Sequence, residues 1–366
     1  MNIKPGHLAY SHHEFQQLID EKSTNFVGRD FVFSTITDFL KYQPCGYFTI
    51  VGAPGSGKSA ILAHYAINNP QVVYYSAQVE GKEFASEFLN TVCTQLMKEL
   101  GTGNMSLPDN ATAGSWFLSL LLQKLSDLLE PDKHLIIAID GCDRIDRKNQ
   151  PQDSNLFYLP RYLPERVYFL LTRRPFLSEK SGLLIETPAQ ILDLEAYPEQ
   201  NRQDVETYIQ QYFSRKPSLL KESGWLTNYN ISQRELCQRL TVSSENNFMY
   251  LSQILDAITQ GFYPEPFQFD QLPPGLEAYY QNHWQRIKGK GLSSVALAVL
   301  RCLSQSQQPL NAELIAQMVD EDGYVLEKVL ENWREFLNQE TVGEETVYSF
   351  YHSNFRDWLS RQLNLS

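Results

Sequence analysis

Gly52-Ala53-Pro54-Gly55-Ser56-Gly57-Lys58-Ser59 combines glycine turns, a lysine and a hydroxyl in the spacing G-x-x-x-x-G-K-[ST]. That spacing is suited to holding a polyphosphate. Gly55 and Gly57 let the backbone turn without Cβ clashes, so successive N–H groups can point inward at the phosphates. A helix beginning near Lys58 adds its positive end. Lys58 is then placed for the β- and γ-phosphates and the Ser59 hydroxyl for Mg²⁺. Gly52 to Ser59, with Ala60 directly behind, forms the candidate nucleotide-binding loop. A second requirement is a hard oxygen ligand, and Leu135-Ile136-Ile137-Ala138-Ile139-Asp140 ends a buried apolar run in a carboxylate. Three residues further on, Asp143 is placed either to orient a water on the γ-phosphate or to cap the next segment. A third apolar run, Val167 to Leu171, is followed by Thr172, Arg173, Arg174 and Pro175. An arginine there can detect the γ-phosphate by a charge-assisted hydrogen bond or form a surface salt bridge, and two adjacent arginines leave the choice open. His12, His13 and Glu14 are metal-ligating types, but adjacent residues rarely converge, and a solvated helix start is the expectation.

These residues need a sheet to carry them. Helical spacing runs from Phe31 to Leu40, and Tyr47, Phe48, Thr49, Ile50 and Val51 have strand composition ahead of the glycine turn. Residues 60–68 predict a helix, 72–76 a strand, and 83–100 and 115–129 helices. The runs at 135–139 and 167–171 are wholly apolar with polar ends, the pattern of strands buried on both faces of a parallel sheet. Alternating strands and helices imply an α/β, doubly wound domain closing near Glu186 to Pro188. From Tyr197 to about Gln271 helical periods take over, at 205–213, 232–240 and 247–258. Gly261 to Pro274, with four prolines, reads as an extended connection. The remainder predicts helices at 292–304, 311–319 and 324–338, then a hairpin over 341–351 turning at Gly343, the order of a winged helix-turn-helix. The expected organisation is a lead-in segment (1–24), a nucleotide-binding domain (25–187), a helical domain (188–271) and a winged-helix domain (272–366).

A chain of 366 residues exceeds one ordinary core, which agrees with several domains. Its 31 Lys and Arg against 43 Asp and Glu give a formal charge of −12, so the surface should repel a polyanion. Five widely spaced cysteines without a CxxC pair argue against a disulfide framework or a zinc cluster and fit a reducing compartment. The longest apolar runs fall far short of the roughly 18 residues a spanning helix needs, and the first residues lack a secretory pattern. A soluble cytoplasmic protein without a membrane partner is expected.

The chain resembles the signal-transduction ATPases with numerous domains, and within them the NACHT and NB-ARC group, over about residues 25 to 362. Phe26-Val27-Gly28-Arg29-Asp30 is similar to the group's hydrophobic-Gly-Arg-acid signature, which implies that Val27, Gly28 and Arg29 line an adenine pocket. Gly52 to Ser59 resembles its phosphate loop, and Ile139-Asp140-Gly141-Cys142-Asp143 its NACHT-type metal strand. Leu171-Thr172-Arg173-Arg174-Pro175 resembles the sensor strand, which singles out Arg174 directly before the proline. Leu272 to Tyr280 is similar to the entry to the winged-helix domain. Phe350-Tyr351-His352-Ser353-Asn354-Phe355-Arg356-Asp357-Trp358-Leu359 resembles the terminal motif, whose histidine, carried over to His352, contacts the β-phosphate of ADP; taken alone, His352 reads more readily as structural. The resemblance implies an AAA+-like P-loop fold, ATP or ADP with Mg²⁺ as ligands, slow hydrolysis, and self-association in the ATP state. It also implies effector and sensor domains or proteins as partners outside this chain. Arg144 replaces a further acid of the NACHT pattern, and the adenine-contacting proline has no counterpart in Asn246-Asn247-Phe248-Met249-Tyr250.

The alternative function is a DNA-associated ATPase of the origin-recognition type, reading DNA with the third helix of the winged-helix domain. That helix and its approach carry Asp320, Glu321, Asp322, Glu327, Glu331 and Glu335 against Lys328 and Arg334, which opposes a phosphate backbone and makes nucleic acid an unlikely partner. A small-molecule kinase leaves the sequence after the sheet unexplained. GTP lacks its Asn-Lys-x-Asp signature, so ATP is preferred. The expectation is an ADP/ATP switch in which Lys58 grips phosphate, Ser59 and Asp140 hold Mg²⁺, Asp143 orients water and Arg174 senses the γ-phosphate.

Overall fold

The computed structural model describes residues 14–102, 106–148, 150–151, 153–176, 181–216, 225–263, 265–266, 272–306, 308–343 and 345–364. The chain divides into two units, the first running through to Gln200 and the second from Asn201 onward, with the short stretches Ala53–Gly57 and 175–176 belonging to the second. His7, His12 and His13 lie outside the described residues, as do Pro264 and residues 267–271 of the expected extended connection.

In the first unit, helices α1 (Gln16–Ser23) and α2 (Asp30–Tyr42) precede strand β1 (Gly46–Val51). Helix α3 (Lys58–Asn68), β2 (Val72–Ser76), α4 (Ala85–Glu99), α5 (Trp116–Leu128), β3 (Leu135–Asp140) and β4 (Val167–Arg173) follow, and β5 (Ala189–Asp193) completes the set. The five strands form one parallel sheet in the order β2-β3-β4-β1-β5. Every residue of β1 to β4 is buried, which is why these strands read as unbroken apolar runs. Strand β5 extends the sheet beyond the expected closure at 186–188. Only its Leu192 is buried, because it sits on an edge, and its sequence carries no apolar block. The expected lead-in segment also contributes to the core: Phe15 and Ile19 at α1 pack with the sheet, Phe15 edge-on to Tyr74 and Tyr75.

The strand order places β4 between β1 and β3. The register sets Ile139 opposite Leu171 and Ser76 opposite Asp140. The carboxyl ends of β1, β4, β3 and β2 therefore lie in sequence along one edge, and each delivers its next residues there.

The second unit contains α6 (Pro198–Arg215, from its fourth residue), α7 (Trp225–Asn228), α8 (Gln233–Ser244), α9 (Phe248–Thr259), α10 (Pro274–Gly289) and α11 (Ser294–Gln305). Then come β6 (Leu310–Asn311), α12 (Ala312–Val319), α13 (Gly323–Asn332), β7 (Leu337–Val342), β8 (Glu345–Phe350) and α14 (Ser353–Gln362). Side-chain caps fix several helix starts: Ser232 accepts from Glu235 N–H, Asn247 from Tyr250, Ser293 from Ala296, Asn311 from Leu314 and Asp322 from Tyr324. The helix expected over 324–338 stops at Asn332 and gives way to a 3₁₀ turn and to β7. Trp333, Phe336 and Leu337 are buried there, and β7 pairs antiparallel with β8, so tertiary packing overrides a helical composition. Among the described residues no helix is long and apolar enough to cross a membrane, and all five cysteines are buried and free.

Candidate functional site

The glycine loop leaves β1 and enters α3 through Gly55 and Gly57, with φ of 84° and 94°, a region where L side chains are strained. Lys58 opens α3 and its ammonium donates to the Gly52 carbonyl at 2.7 Å. Burial pushes Lys58 down to about 8; Asp143 opposes this, Arg174 adds to it, and Asp140 and Glu195 oppose it. Four charged groups thus converge electrostatically on this one amine.

Asp140 ends β3 almost wholly buried, 1% exposed. Its carboxylate is nevertheless saturated with donors. Ser59 Oγ reaches Oδ1 at 2.9 Å and Thr172 Oγ1 reaches the same oxygen at 2.6 Å. Gln78 Nε2 reaches Oδ2 at 2.8 Å and Ser76 Oγ at 3.4 Å. Burial raises the Asp140 carboxyl, and the Thr172 and Ser59 hydrogen bonds oppose that rise. Thr172 also accepts from Gly141 N–H at 2.9 Å, which ties the turn after β3 to the end of β4. Ser59 and Asp140 supply a hydroxyl and a carboxylate as hard oxygens. No group of three His, Cys, Asp or Glu that could cage a metal occurs among the described residues. One carboxylate plus one hydroxyl, with the remaining positions left to phosphate and water, is the donor set Mg²⁺ favours at nucleotide sites, so the residues fit that ion.

Past the left-handed turn at Gly141, Asp143 lies in a 3₁₀ segment, Cys142–Arg144. It meets Arg174: the Arg174 N–H donates to Oδ1 at 3.2 Å, and Nε stands 3.5 Å from Oδ2. The neighbouring Arg173 instead donates to the Ser181 carbonyl at 2.8 Å. Arg173 also feels the charge of Asp143, and Arg174 is the arginine whose Nε stands 3.5 Å from it.

Val27, Gly28 and Arg29 lie at the start of α2. Gly28 and Arg29 are both left-handed, at φ 63° and 65°, and Arg29 is buried with its guanidinium 5.9 Å from the Phe31 ring. Phe31 in turn stacks on Tyr197 at 4.6 Å. A buried non-glycine residue in this conformation costs on the order of 1 kcal/mol or more, a cost seen where backbone shape is functional.

In the second unit, Asn247 Nδ2 donates to the Pro54 carbonyl at 2.9 Å, and the Phe248 N–H donates to Gly55 O at 2.9 Å. A Cβ at Gly55 would collide with the Asn247 amide. His352 is 1% exposed, lies tilted against the Tyr250 ring with centroids 4.5 Å apart, and accepts from Asn354 N–H through Nδ1 at 3.0 Å. Its Nε2 makes no hydrogen bond, although the Ser243 and Ser244 carbonyls are near enough to favour a proton there; burial pushes its pKa down. Ser353 beside it is tied to Glu245 through both N–H and hydroxyl.

Residues 25–170 match the AAA ATPase domain family. This region is a P-loop NTPase domain. The chain is 31% identical over 152 residues to telomerase protein component 1 of Mus musculus, covering 38% of this chain and 6% of that protein. The Rattus norvegicus protein is 30% identical over 145 residues, covering 37% and 5%. The chain thus spans a small fraction of the length of these relatives. Among solved structures, a signal transduction ATPase with a tetratricopeptide repeat sensor from Pyrococcus horikoshii is 17% identical, with a TM-score of 0.37, over 93% of this chain and 44% of that one. Drosophila ORC bound to DNA is 12% identical, with a TM-score of 0.38, over 96% and 99%. A RuvB variant of Thermotoga maritima is 12% identical, with a TM-score of 0.36, over 94% and 98%.

Sequence reasoning assigned no role to Gln78, Ser76 or Thr172. Thr172 was reachable, since it stands one residue past Leu171 as Asp140 stands one past Ile139 on the paired strand. Gln78 carries no signal in type or spacing.

Proposed function

We propose that this chain is the core of a signal-transduction ATPase that works as an ADP/ATP switch, with slow hydrolysis. The observation carrying the reading is the convergence of Lys58, Ser59, Asp140, Asp143 and Arg174 at the carboxyl ends of adjacent parallel strands. In this reading the glycine loop and Val27, Gly28 and Arg29 hold the adenine nucleotide, and Lys58 binds its phosphates. Ser59 and Asp140 would hold Mg²⁺, which when bound neutralises phosphate oxygens and orients them. Arg174 turns to the γ-phosphate, and that exchange releases Asp143 to orient a water and take its proton. The pair seen at 3.5 Å is the resting state of this relay.

With β5 assigned to the sheet, residues 201–271 and 272–366 serve as a helical domain and a winged-helix domain. His352 then reports on the nucleotide: Nδ1 is already engaged as an acceptor, so Nε2 carries the hydrogen and can donate to a β-phosphate oxygen. ADP would hold the closed form, and ATP would release it for self-association, coupling to effector and sensor partners. The DNA-binding alternative is disfavoured by an acidic groove along α12 and α13 lined by Glu313, Asp320, Glu321, Asp322 and Glu327. Light scattering on the chain loaded with ADP or with a slowly hydrolysed ATP analogue tests the switch. A larger assembly with ATP is expected; equal masses in both states would overturn it.

A further inference from the structure

Ser59 Oγ and Asp140 Oδ2 both accept from a single nitrogen, Gln78 Nε2, at 2.6 and 2.8 Å. Only the amide nitrogen can face an ionised carboxylate, so the orientation of the carboxamide follows from chemistry. That nitrogen carries the positive end of the amide dipole and touches the two groups assigned to the metal. It therefore occupies a place that a cation shared by them would need. Gln78 begins two residues past the end of β2, and its own N–H lies 3.3 Å from Ser76 Oγ, so the strand aims it across the end of β3. Gly141 makes room for it: a Cβ there would stand 2.9 Å from Gln78 Cγ. Two separate features, the bridging amide and the missing Cβ, thus serve the same side chain.

We propose that Gln78 is an internal competitor for the metal, its amide bridging Ser59 Oγ and Asp140 Oδ2 until Mg²⁺ and nucleotide displace it. The inference rests on the nucleotide-site reading above. In the metal-free protein the amide offsets the desolvation of Asp140 in the cation's stead. Metal binding must break both of its hydrogen bonds, which raises the metal concentration at which nucleotide is held tightly. Gln78 is itself exposed, so replacing it removes the competition without opening the core.

The test is a Mn²⁺ titration of the ADP-loaded chain, followed by electron paramagnetic resonance of the free ion, in wild type, Gln78→Ala and Gln78→Leu. Both variants are expected to bind Mn²⁺ roughly tenfold more tightly, the scale of one lost competing hydrogen bond to a charged group. Their melting temperatures should fall below wild type without metal and match it in the Mg²⁺–ADP complex. Unchanged or weaker Mn²⁺ binding, or an equal loss of melting temperature in both states, would refute the competition while leaving the nucleotide site standing. A wild-type chain that binds no ADP at all would remove the nucleotide reading and this inference together.

Discussion

Asp140 and His352 are equally buried, each 1% exposed, yet their surroundings differ in kind. Asp140 accepts from Ser59, Thr172, Gln78 and Ser76, so its charge is solvated by the fold. His352 uses one nitrogen to cap α14 and leaves the other without a hydrogen bond. Leaving a buried polar group unsatisfied costs about 1–3 kcal/mol, which a ligand can recover. The contrast teaches that the Asp140 corner is prepared in advance by side-chain donors, whereas the second nitrogen of His352 has only the nearby Ser243 and Ser244 carbonyls beside it.

The largest effect should come from Lys58→Ala, which removes the cation facing Asp143 and Asp140. ADP affinity is expected to fall about 100-fold or more by calorimetry; retained affinity would break the prepared-corner side of the contrast. Asp143→Asn should bind ATP within about threefold of wild type while turnover falls about 100-fold. Wild-type turnover would move the base elsewhere. The pH dependence sharpens the role of Lys58. Its ammonium loses its proton near pH 8 in the free protein, and bound phosphate stabilises the charged form and raises that value. ADP affinity should therefore be flat below about pH 8 and fall by up to about tenfold per pH unit above it, as seen in binding measured from pH 7 to 9.5. The smallest effect is expected for His352→Ala, with ADP dissociation several-fold faster in stopped flow, the scale of about 1 kcal/mol for one hydrogen bond. An unchanged off-rate would make the unfilled nitrogen a structural feature only.

The buried strands were the most legible part of the sequence. β1 to β4 are covered on both faces, so their composition had no alternative reading. β5 escaped because four of its five residues face solvent, and α1 because Phe15 and Ile19 are lone anchors in a polar stretch. The overrun at 324–338 came from helical composition continuing past Asn332, where Trp333 and Phe336 instead turn into the core. At the site, Lys58, Ser59, Asp140 and Asp143 were marked by motif spacing. The differing contacts of Arg173 and Arg174 needed coordinates, because adjacent residues point apart only once the strand end is placed. Gln78 was invisible for a related reason: its meaning lies in the register of Ser76 against Asp140, a pairing between distant segments.

The central claim is that the glycine loop and the Asp140 corner bind a magnesium–nucleotide pair. Equilibrium calorimetry of ADP against the purified chain, with and without Mg²⁺ and alongside Asp140→Asn, tests it most directly. Saturable binding of one ADP per chain, tightened by Mg²⁺ in wild type and not in the variant, is predicted. Heats equal to dilution in every condition, or tightening by Mg²⁺ that survives Asp140→Asn, would contradict it.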